Sequence, residues 1–210
     1  KYVEGDESLF TFFAITIILP SIVGASLFPL VFRWTKNKGW TGAVFSLLMG
    51  LSMCMIYFFD HHTSPVPFYT FCILAQFFFS GFNTAIYAII PDCVEYGEWK
   101  TGIRNDGFQY SFVSLGNKVG MAIGTGALAL VLGAAGYVPN EVQNPTVIAI
   151  IKWSFTIIPG TLWVLTAGVL MFYNINKKNY NKIITELHQR EADDPDMIPS
   201  ESDDSIAFDK

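Results

Sequence analysis

Five long apolar stretches constrain this chain more than any other feature of its sequence. They cover about residues 9–32, 41–59, 67–90, 108–135 and 147–173. The hydrocarbon core of a bilayer is roughly 30 Å thick, and a helix needs about 20 apolar residues to cross it. Because lipid offers no partners to backbone N–H and C=O groups, segments of this length have to be helical. The sequence therefore predicts an all-α membrane protein with five transmembrane helices.

The charged residues divide the chain further. Only 15% of the residues are charged, whereas a soluble domain carries about 25%. We expect an outer loop at 1–8, a transmembrane bundle at 9–173, a basic juxtamembrane segment at 174–190 and a disordered acidic tail at 191–210. The juxtamembrane segment has the spacing of a short basic amphipathic helix that would lie on the inner membrane face, but a solvated segment fits it equally well.

Some partners are excluded by composition. No basic patch is present that would bind nucleic acid. The cysteines Cys54, Cys72 and Cys93 lack the spacing of a metal site, so we expect no metal. The chain starts at Lys1 without an initiator Met, and we expect further sequence upstream.

The orientation follows from the basic residues, which concentrate on the cytoplasmic side of membrane proteins. The loops on one side carry nine of them: Arg33, Lys36, Lys38, Lys100, Arg104, Lys177, Lys178, Lys182 and Arg190. The opposite side carries Lys1 and Lys152. The sequence thus predicts a multi-pass plasma-membrane protein whose 33–40 loop, 91–107 loop and C-terminus are cytoplasmic.

Prolines and glycines interrupt two of the predicted spans. Pro20, Gly24 and Pro29 lie in the first span, and Pro159 and Gly160 lie in the last. Such breaks are tolerated in membranes where neighbouring helices or water satisfy the backbone. They indicate either fixed kinks or the hinges of an alternating-access carrier.

Polar residues follow one face of the third and the fourth span. The third span has Gln76, Ser80, Asn83, Thr84 and Tyr87, and the fourth has Tyr110, Ser114, Asn117, Lys118, Met121 and Thr125. Beside the second stripe run Gly116, Gly120 and Gly124, a pattern that lets another helix pack closely. The polar stripes either bind helices together by hydrogen bonds or line a pathway for a polar substrate.

Lys118 favours the pathway. It lies roughly 11 residues into the fourth span, which places it about 16 Å deep at 1.5 Å per residue. A charge at that depth is costly and is usually functional. No carboxylate of this chain lies at the same depth, so the partner is the substrate, water or a helix outside this chain.

The loop before the fourth span is rich in charge. Asp92, Glu95 and Glu98 are spaced to share one helix face at the membrane surface. Like charges on one face repel and require a basic partner, for which Arg104 or the basic loops of another bundle are candidates. Metal ligands or catalytic acids are weaker interpretations, because no His is near.

These residues carry a resemblance to a known family. The sequence Asp92-x-Val94-Glu95-Tyr96-Gly97-Glu98-x-Lys100-x-x-x-Arg104, with Tyr110 and Lys118 at fixed distances, resembles the glycoside–pentoside–hexuronide:cation symporters of the major facilitator superfamily. The resemblance is strongest over residues 80–140. It implies that the five spans correspond to helices 8–12 of a twelve-helix carrier.

The resemblance also implies a function. The chain would be the C-terminal part of a secondary transporter, not an enzyme, that moves a sugar or glycoside with Na⁺ or H⁺ by alternating access. Lys118 would line the central cavity together with Tyr110, Ser114, Asn117 and Asn83. The charged motif of Asp92, Glu95, Glu98 and Arg104 would pair with the other half to close a cytoplasmic gate.

The resemblance extends to the binding partners. These would be membrane lipid, the sugar and the missing N-terminal half of the carrier. The coupling cation would be bound mainly by that half, with no other cofactor.

Three positions depart from the family pattern. Asn83 stands where the best-known member has a sugar-facing Trp, and Val113-Ser114 stands where it has Gln-Thr. The particular sugar is therefore open. The alternative to a carrier is a non-transporting helix bundle, such as a sensor or a membrane enzyme.

Overall fold

The computed structural model describes residues 9–59, 64–139, 143–173 and 177–193, and every regular element in these ranges is an α-helix. The helices are α1 (Leu9–Thr35), α2 (Lys38–Ile56), α3 (Pro65–Thr101), α4 (Asp106–Ala134), α5 (Pro145–Phe155), α6 (Ile157–Met171) and α7 (Lys177–Asp193). Within the described residues, five segments are long and apolar enough to cross a membrane. The predicted all-α membrane class is confirmed.

The third helix is longer than its apolar stretch. It continues through Pro91 to Thr101, whereas hydropathy alone ended the span at residue 90. The helix stops at Gly102, whose φ of 72° lies in the left-handed region and whose N–H donates to the Glu98 carbonyl oxygen. Glycine has no Cβ and adopts this conformation readily, so it commonly ends helices in this way. The charged motif is consequently a direct extension of a membrane helix.

The last predicted span is two helices. α5 and α6 meet at Thr156, whose φ of −118° and ψ of −70° depart from helical values. A proline ring clashes with the carbonyl group four residues earlier, and for Pro159 that residue is Phe155. The expected interruption at Pro159 is therefore present. In contrast, α1 remains one helix through Pro20 and Pro29.

Four of the helices form the packed part of the molecule. α2 lies against α3 and α6, and α1 lies against α3. Phe28, Phe45, Phe82 and Ala85 form the centre of this core. The Ser46 hydroxyl donates to the Trp163 carbonyl oxygen at 2.7 Å, which satisfies a buried polar group between α2 and α6.

Glycines set the spacing of these helices. A Cβ on Gly24 would overlap the Phe77 carbonyl oxygen of α3. A Cβ on Gly50 would lie 2.7 Å from the Gly160 carbonyl oxygen of α6. In lipid, small residues at such contacts allow the backbones to approach and pack.

α4 differs from its neighbours. It contacts only α3 and α5 among the described helices, and none of its residues is buried. A Cβ on Gly116, Gly120 or Gly124 would meet no atom within 4 Å. Within the described residues, the predicted packing stripe therefore has no partner helix.

The residues after the bundle form α7, which lies against α3. Ile183 and Leu187 are buried there, so the amphipathic alternative for the juxtamembrane segment fits and its apolar face packs on protein. α7 includes Asp193, three residues into the segment expected to be disordered. Residues 1–8 and 194–210, on which the outer-loop and tail predictions fall, lie outside the described ranges.

A substitution at Gly24 tests this packing. In the complete protein, Gly24→Ala should lower the free energy of unfolding by about 1–3 kcal/mol, because the added methyl group collides with backbone that cannot rotate away. The measurement is thermal unfolding in detergent. Gly168→Ala is the matched control, because its Cβ would enter open space on α6. Equal melting temperatures for the two variants would contradict the close α1–α3 contact.

Candidate functional site

An open groove whose surface is mainly apolar, with several polar side chains, lies between α1 and α3. It measures about 450 Å³ and is lined by Ser21, Phe79, Ser80, Asn83, Thr84 and Tyr87. Pockets for small molecules measure roughly 300–1,000 Å³. Four of the lining residues belong to the polar stripe of the third span. Ser21 comes from α1, and its isolated position in an apolar stretch gave no sequence signal.

Hydrogen bonds within the protein determine which lining groups remain available to a ligand. The Ser80 hydroxyl donates to the Ser21 carbonyl oxygen at 2.5 Å, and the Thr84 hydroxyl donates to the Ser80 carbonyl oxygen at 3.1 Å. These two donors are used within the protein. Asn83 is exposed, and Tyr87 is 60% exposed, so the amide and the phenol offer donors and acceptors to a ligand. Together with the ring of Phe79, the groove can hydrogen-bond a hydroxylated molecule and cover its apolar face.

The predicted site residues on α4 stand apart from this groove. Tyr110, Ser114, Asn117 and Lys118 are all exposed. Lys118 makes no ion pair with any residue in the described ranges. α4 is tied to α3 near their connection, where the Gln109 side chain donates to the Cys93 carbonyl oxygen at 2.9 Å. Within the described residues, no hydrogen bond or ion pair joins the α4 stripe to the groove.

A buried ion pair lies at one end of the bundle, which we term the charged end (residues 33–40 and 91–107). Lys38 Nζ lies 2.6 Å from Asp92 Oδ1, and the Asp92 side chain is 4% exposed. Lys38 also donates to the Ala88 carbonyl oxygen at 3.1 Å. The Tyr173 hydroxyl donates to Asp92 Oδ2 at 3.2 Å. The carboxylate thus joins α2, α3 and Tyr173, the second residue after α6.

This pairing was not predicted. Sequence analysis used Lys38 only to orient the chain and assigned no role to Tyr173. Asp92 was grouped with Glu95 and Glu98 as one acidic face, but Asp92 is buried inside this bundle. The acidic spacing was visible in the sequence, whereas the partner lies 54 positions away and no local pattern indicates it.

Arg104, one of the candidate partners of the acidic face, pairs with Glu98 and with Asp106. Arg104 Nη1 lies 3.1 Å from Glu98 Oε2, and Arg104 Nε lies 3.2 Å from Asp106 Oδ2. Partial burial acts against the charge of the guanidinium, but Asp106 and Glu98 outweigh it and raise the pKa of Arg104. Exposed pairs of this kind contribute little to stability, roughly 0–1 kcal/mol.

Comparison with known proteins decides the family. The chain matches the family described as MFS/sugar transport protein over residues 1–177. The chain belongs to this family. An MFS/sugar transport protein with five apolar helices of spanning length is a multi-pass membrane protein, in agreement with the class predicted from the sequence.

Individual relatives are similar over most of the chain. A glucuronide carrier protein homolog of Escherichia coli (strain K12) is 31% identical over 203 residues, which cover 94% of this chain and 43% of the relative. An isoprimeverose transporter of Lactiplantibacillus pentosus is 30% identical, covering 91% of this chain and 40% of the relative. A putative sulfoquinovose importer of Escherichia coli (strain K12) is 30% identical, with 90% and 40% covered. The chain spans less than half the length of these relatives.

The Lys38–Asp92 pair gives a direct test of the charged end. Lys38→Ala should lower the free energy of unfolding of the complete protein by roughly 1–3 kcal/mol, because it leaves a buried carboxylate without its cation. Thermal unfolding in detergent measures the change. Lys100→Ala, an exposed lysine on the same end, should change little.

A charge exchange sharpens this test. The double variant Lys38→Asp, Asp92→Lys should regain part of the lost stability, because it restores opposite charges at the same two positions. If Lys38→Ala and Lys100→Ala melted at the same temperature, the buried pair would not contribute.

Proposed function

We propose that the chain is the C-terminal part of a secondary active transporter that carries a sugar or glycoside together with a cation. The observation that carries the proposal is an open groove, lined in part by hydroxyl and amide side chains, in the packed part of a chain that belongs to the MFS/sugar transport family. Relatives named as a carrier, a transporter and an importer support transport rather than catalysis. The rest of the carrier would be a second bundle that completes the pathway.

The groove supplies the recognition chemistry. A sugar presents several hydroxyl groups and an apolar ring face, and Asn83 and Tyr87 have groups free to meet the hydroxyls. A site whose buried polar groups are left unpaired by a poor ligand discriminates strongly against that ligand. The α4 stripe of Tyr110, Ser114 and Asn117 would form the opposite wall once the second bundle is in place.

Lys118 would couple the sugar to the cation. A lone ammonium near the middle of a membrane requires an anionic or polar partner. The described helices have no Asp or Glu between Leu9 and Pro91 or between Gly107 and Phe172. The coupling ion, Na⁺ or H⁺, would therefore be held mainly by acids of the second bundle, and Lys118 would respond to that charge.

The charged end would be cytoplasmic, as the distribution of Lys and Arg favours. The carrier would lie in the plasma membrane with its C-terminus inside the cell. At this end Glu95, Glu98 and Arg104 would face the second bundle and form a gate. Asp92 would instead fix the helices of this half through Lys38.

Transport assays on the complete protein test the proposal. Lys118→Ala should abolish cation-dependent accumulation of labelled glycoside in cells that lack their own uptake, while the amount of protein in the membrane stays constant. Ser114→Ala and Asn83→Ala should raise KM, because each removes one contact to the sugar. Residues 1–210 expressed alone should accumulate none.

A lipid-facing variant provides the control. Leu165→Ala changes an exposed apolar position of α6 and should leave uptake unchanged. Normal, cation-coupled uptake by Lys118→Ala would contradict the role of Lys118. Absence of uptake of any glycoside by the complete wild-type protein would contradict the proposed function itself.

A further inference from the structure

The C-terminal helix α7 lies along the part of α3 that extends beyond the apolar stretch. The Trp99 indole Nε1 donates to Glu186 Oε2 at 2.6 Å, and Arg190 Nη1 donates to the Trp99 carbonyl oxygen at 2.8 Å. Nearer the start of α7, Ile183 and Leu187 are buried. α7 is therefore held on the protein by an apolar face and by two hydrogen bonds that involve one residue of α3.

The beginning of α7 reaches the Lys38–Asp92 pair. The centroid of the Tyr180 ring lies 5.4 Å from Lys38 Nζ, and that of the Phe32 ring lies 5.8 Å from the same atom. An aromatic ring attracts a cation at such distances. The ammonium is thus flanked by a ring from α1 and a ring from α7, in addition to its bonds to Asp92 and to the Ala88 carbonyl oxygen.

These contacts place α7 along the whole extension of α3. Tyr180 and Arg190 are separated by about 15 Å of helix at 1.5 Å per residue, and Asp92 and Trp99 by about 10 Å. The start of α7 lies next to the ion pair and its end lies next to Trp99. The two helical segments therefore run side by side in the same direction.

With α7 in place, the ion pair is largely shielded from water. The Lys38 side chain is 24% exposed and the Asp92 side chain is 4% exposed. Attraction between two charges weakens as water raises the local dielectric constant. A solvated pair contributes little to stability, whereas removal of one partner from a buried pair is strongly destabilising. The strength of this pair consequently depends on what covers it.

We propose that α7 is a removable cover that keeps water from the Lys38–Asp92 pair. While α7 is docked, the pair holds α2 firmly to α3. When α7 leaves, water reaches both charges and the pair becomes weak. Docking and pairing stabilise each other, because a coupling between two binding events acts by the same factor in both directions. This role goes beyond the proposed function, since it concerns the described bundle alone and requires no transport.

Thermal unfolding of the complete protein in detergent, at low and at high salt, tests the cover. The quantity compared is the decrease in melting temperature that Lys38→Ala causes. In the parent protein this decrease should be nearly independent of salt, because a pair shielded from water is screened little. The same substitution is then made in variants of α7.

Tyr180→Ala removes the ring beside the ammonium and leaves the buried face of α7 and the Trp99 contacts in place. In this background the decrease caused by Lys38→Ala should fall to less than about half its parental value, and high salt should reduce it further, because a solvated pair is weak and screened. Tyr180→Phe is the matched control. It keeps the ring and removes only the hydroxyl, so the decrease should equal that in the parent.

Undocking of the whole helix gives a second comparison. Ile183→Asp with Leu187→Asp places charge in the docked face and should reduce the effect of Lys38→Ala in the same way. Asn181→Asp with Thr185→Asp adds the same charge at two exposed positions. This control should leave the effect of Lys38→Ala unchanged.

Spin labels at Thr101 and Gln189, both exposed, measure the reciprocal effect as the distance between α3 and α7. Lys38→Ala should increase the undocked fraction about two- to fivefold, the size expected for loss of one cation–π contact near a surface. Arg33→Ala, which removes an exposed charge at the end of α1, should not change it.

Equal effects of Lys38→Ala in Tyr180→Ala and in Tyr180→Phe would overturn the cover. An unchanged melting temperature on Lys38→Ala in the parent would overturn it as well. If the double variant in the docked face does not fold, the two Tyr180 variants still decide. Neither measurement needs a sugar, so failure of glycoside uptake by the parent protein would count against the proposed function alone.

Discussion

The cost of an unpaired polar group in lipid determines most of this structure. Backbone groups are satisfied inside helices, and hydroxyls such as Ser46 and Ser80 reach carbonyl oxygens of neighbouring helices. With no hydrophobic effect between lipid-exposed helices, close contact depends on small residues such as Gly24 and Gly50. Polar groups that remain free are then informative, because they mark where water, substrate or another bundle has to be. The groove between α1 and α3 and the stripe of α4 are such places.

The sequence predicted the helices better than their partners. Five apolar segments and the interruption near Pro159 follow from local patterns, and Arg104 was one of the candidate partners for the acidic face. The continuation of α3 to Thr101 could not be predicted from local patterns, because hydropathy falls at Asp92 although the helix persists. The Lys38–Asp92 contact depends on helices that meet only after folding. The position of Ser21 in the groove could not be predicted either, because a single serine among apolar residues carries no local signal.

α3 and α4 differ in how they pack against the other helices, and the functional interpretation depends on this difference. Both helices carry a polar stripe, but α3 packs on α1 and α2 while α4 has no buried residue. A chain that spans less than half of its relatives' length would leave such a helix open until a second bundle covers it. The same difference holds at the charged end. Asp92 pairs with a residue of this bundle, whereas Glu95 can still accept a partner from another. Residues buried within this bundle are thus distinct from the exposed polar residues that the proposed second bundle would cover.

We propose that the stripes of α3 and α4 line one aqueous pathway that opens to each side of the membrane in turn. Labelling of single cysteines with a membrane-impermeant, hydrophilic thiol reagent tests it most directly, in the complete protein and from each side separately. Cysteines at Asn83 and Ser114 should react from both sides, whereas a cysteine at Leu165, exposed on α6, should react from neither. Asn83 and Ser114 positions as unreactive as Leu165 would show that these stripes face lipid or protein, and the account would be wrong.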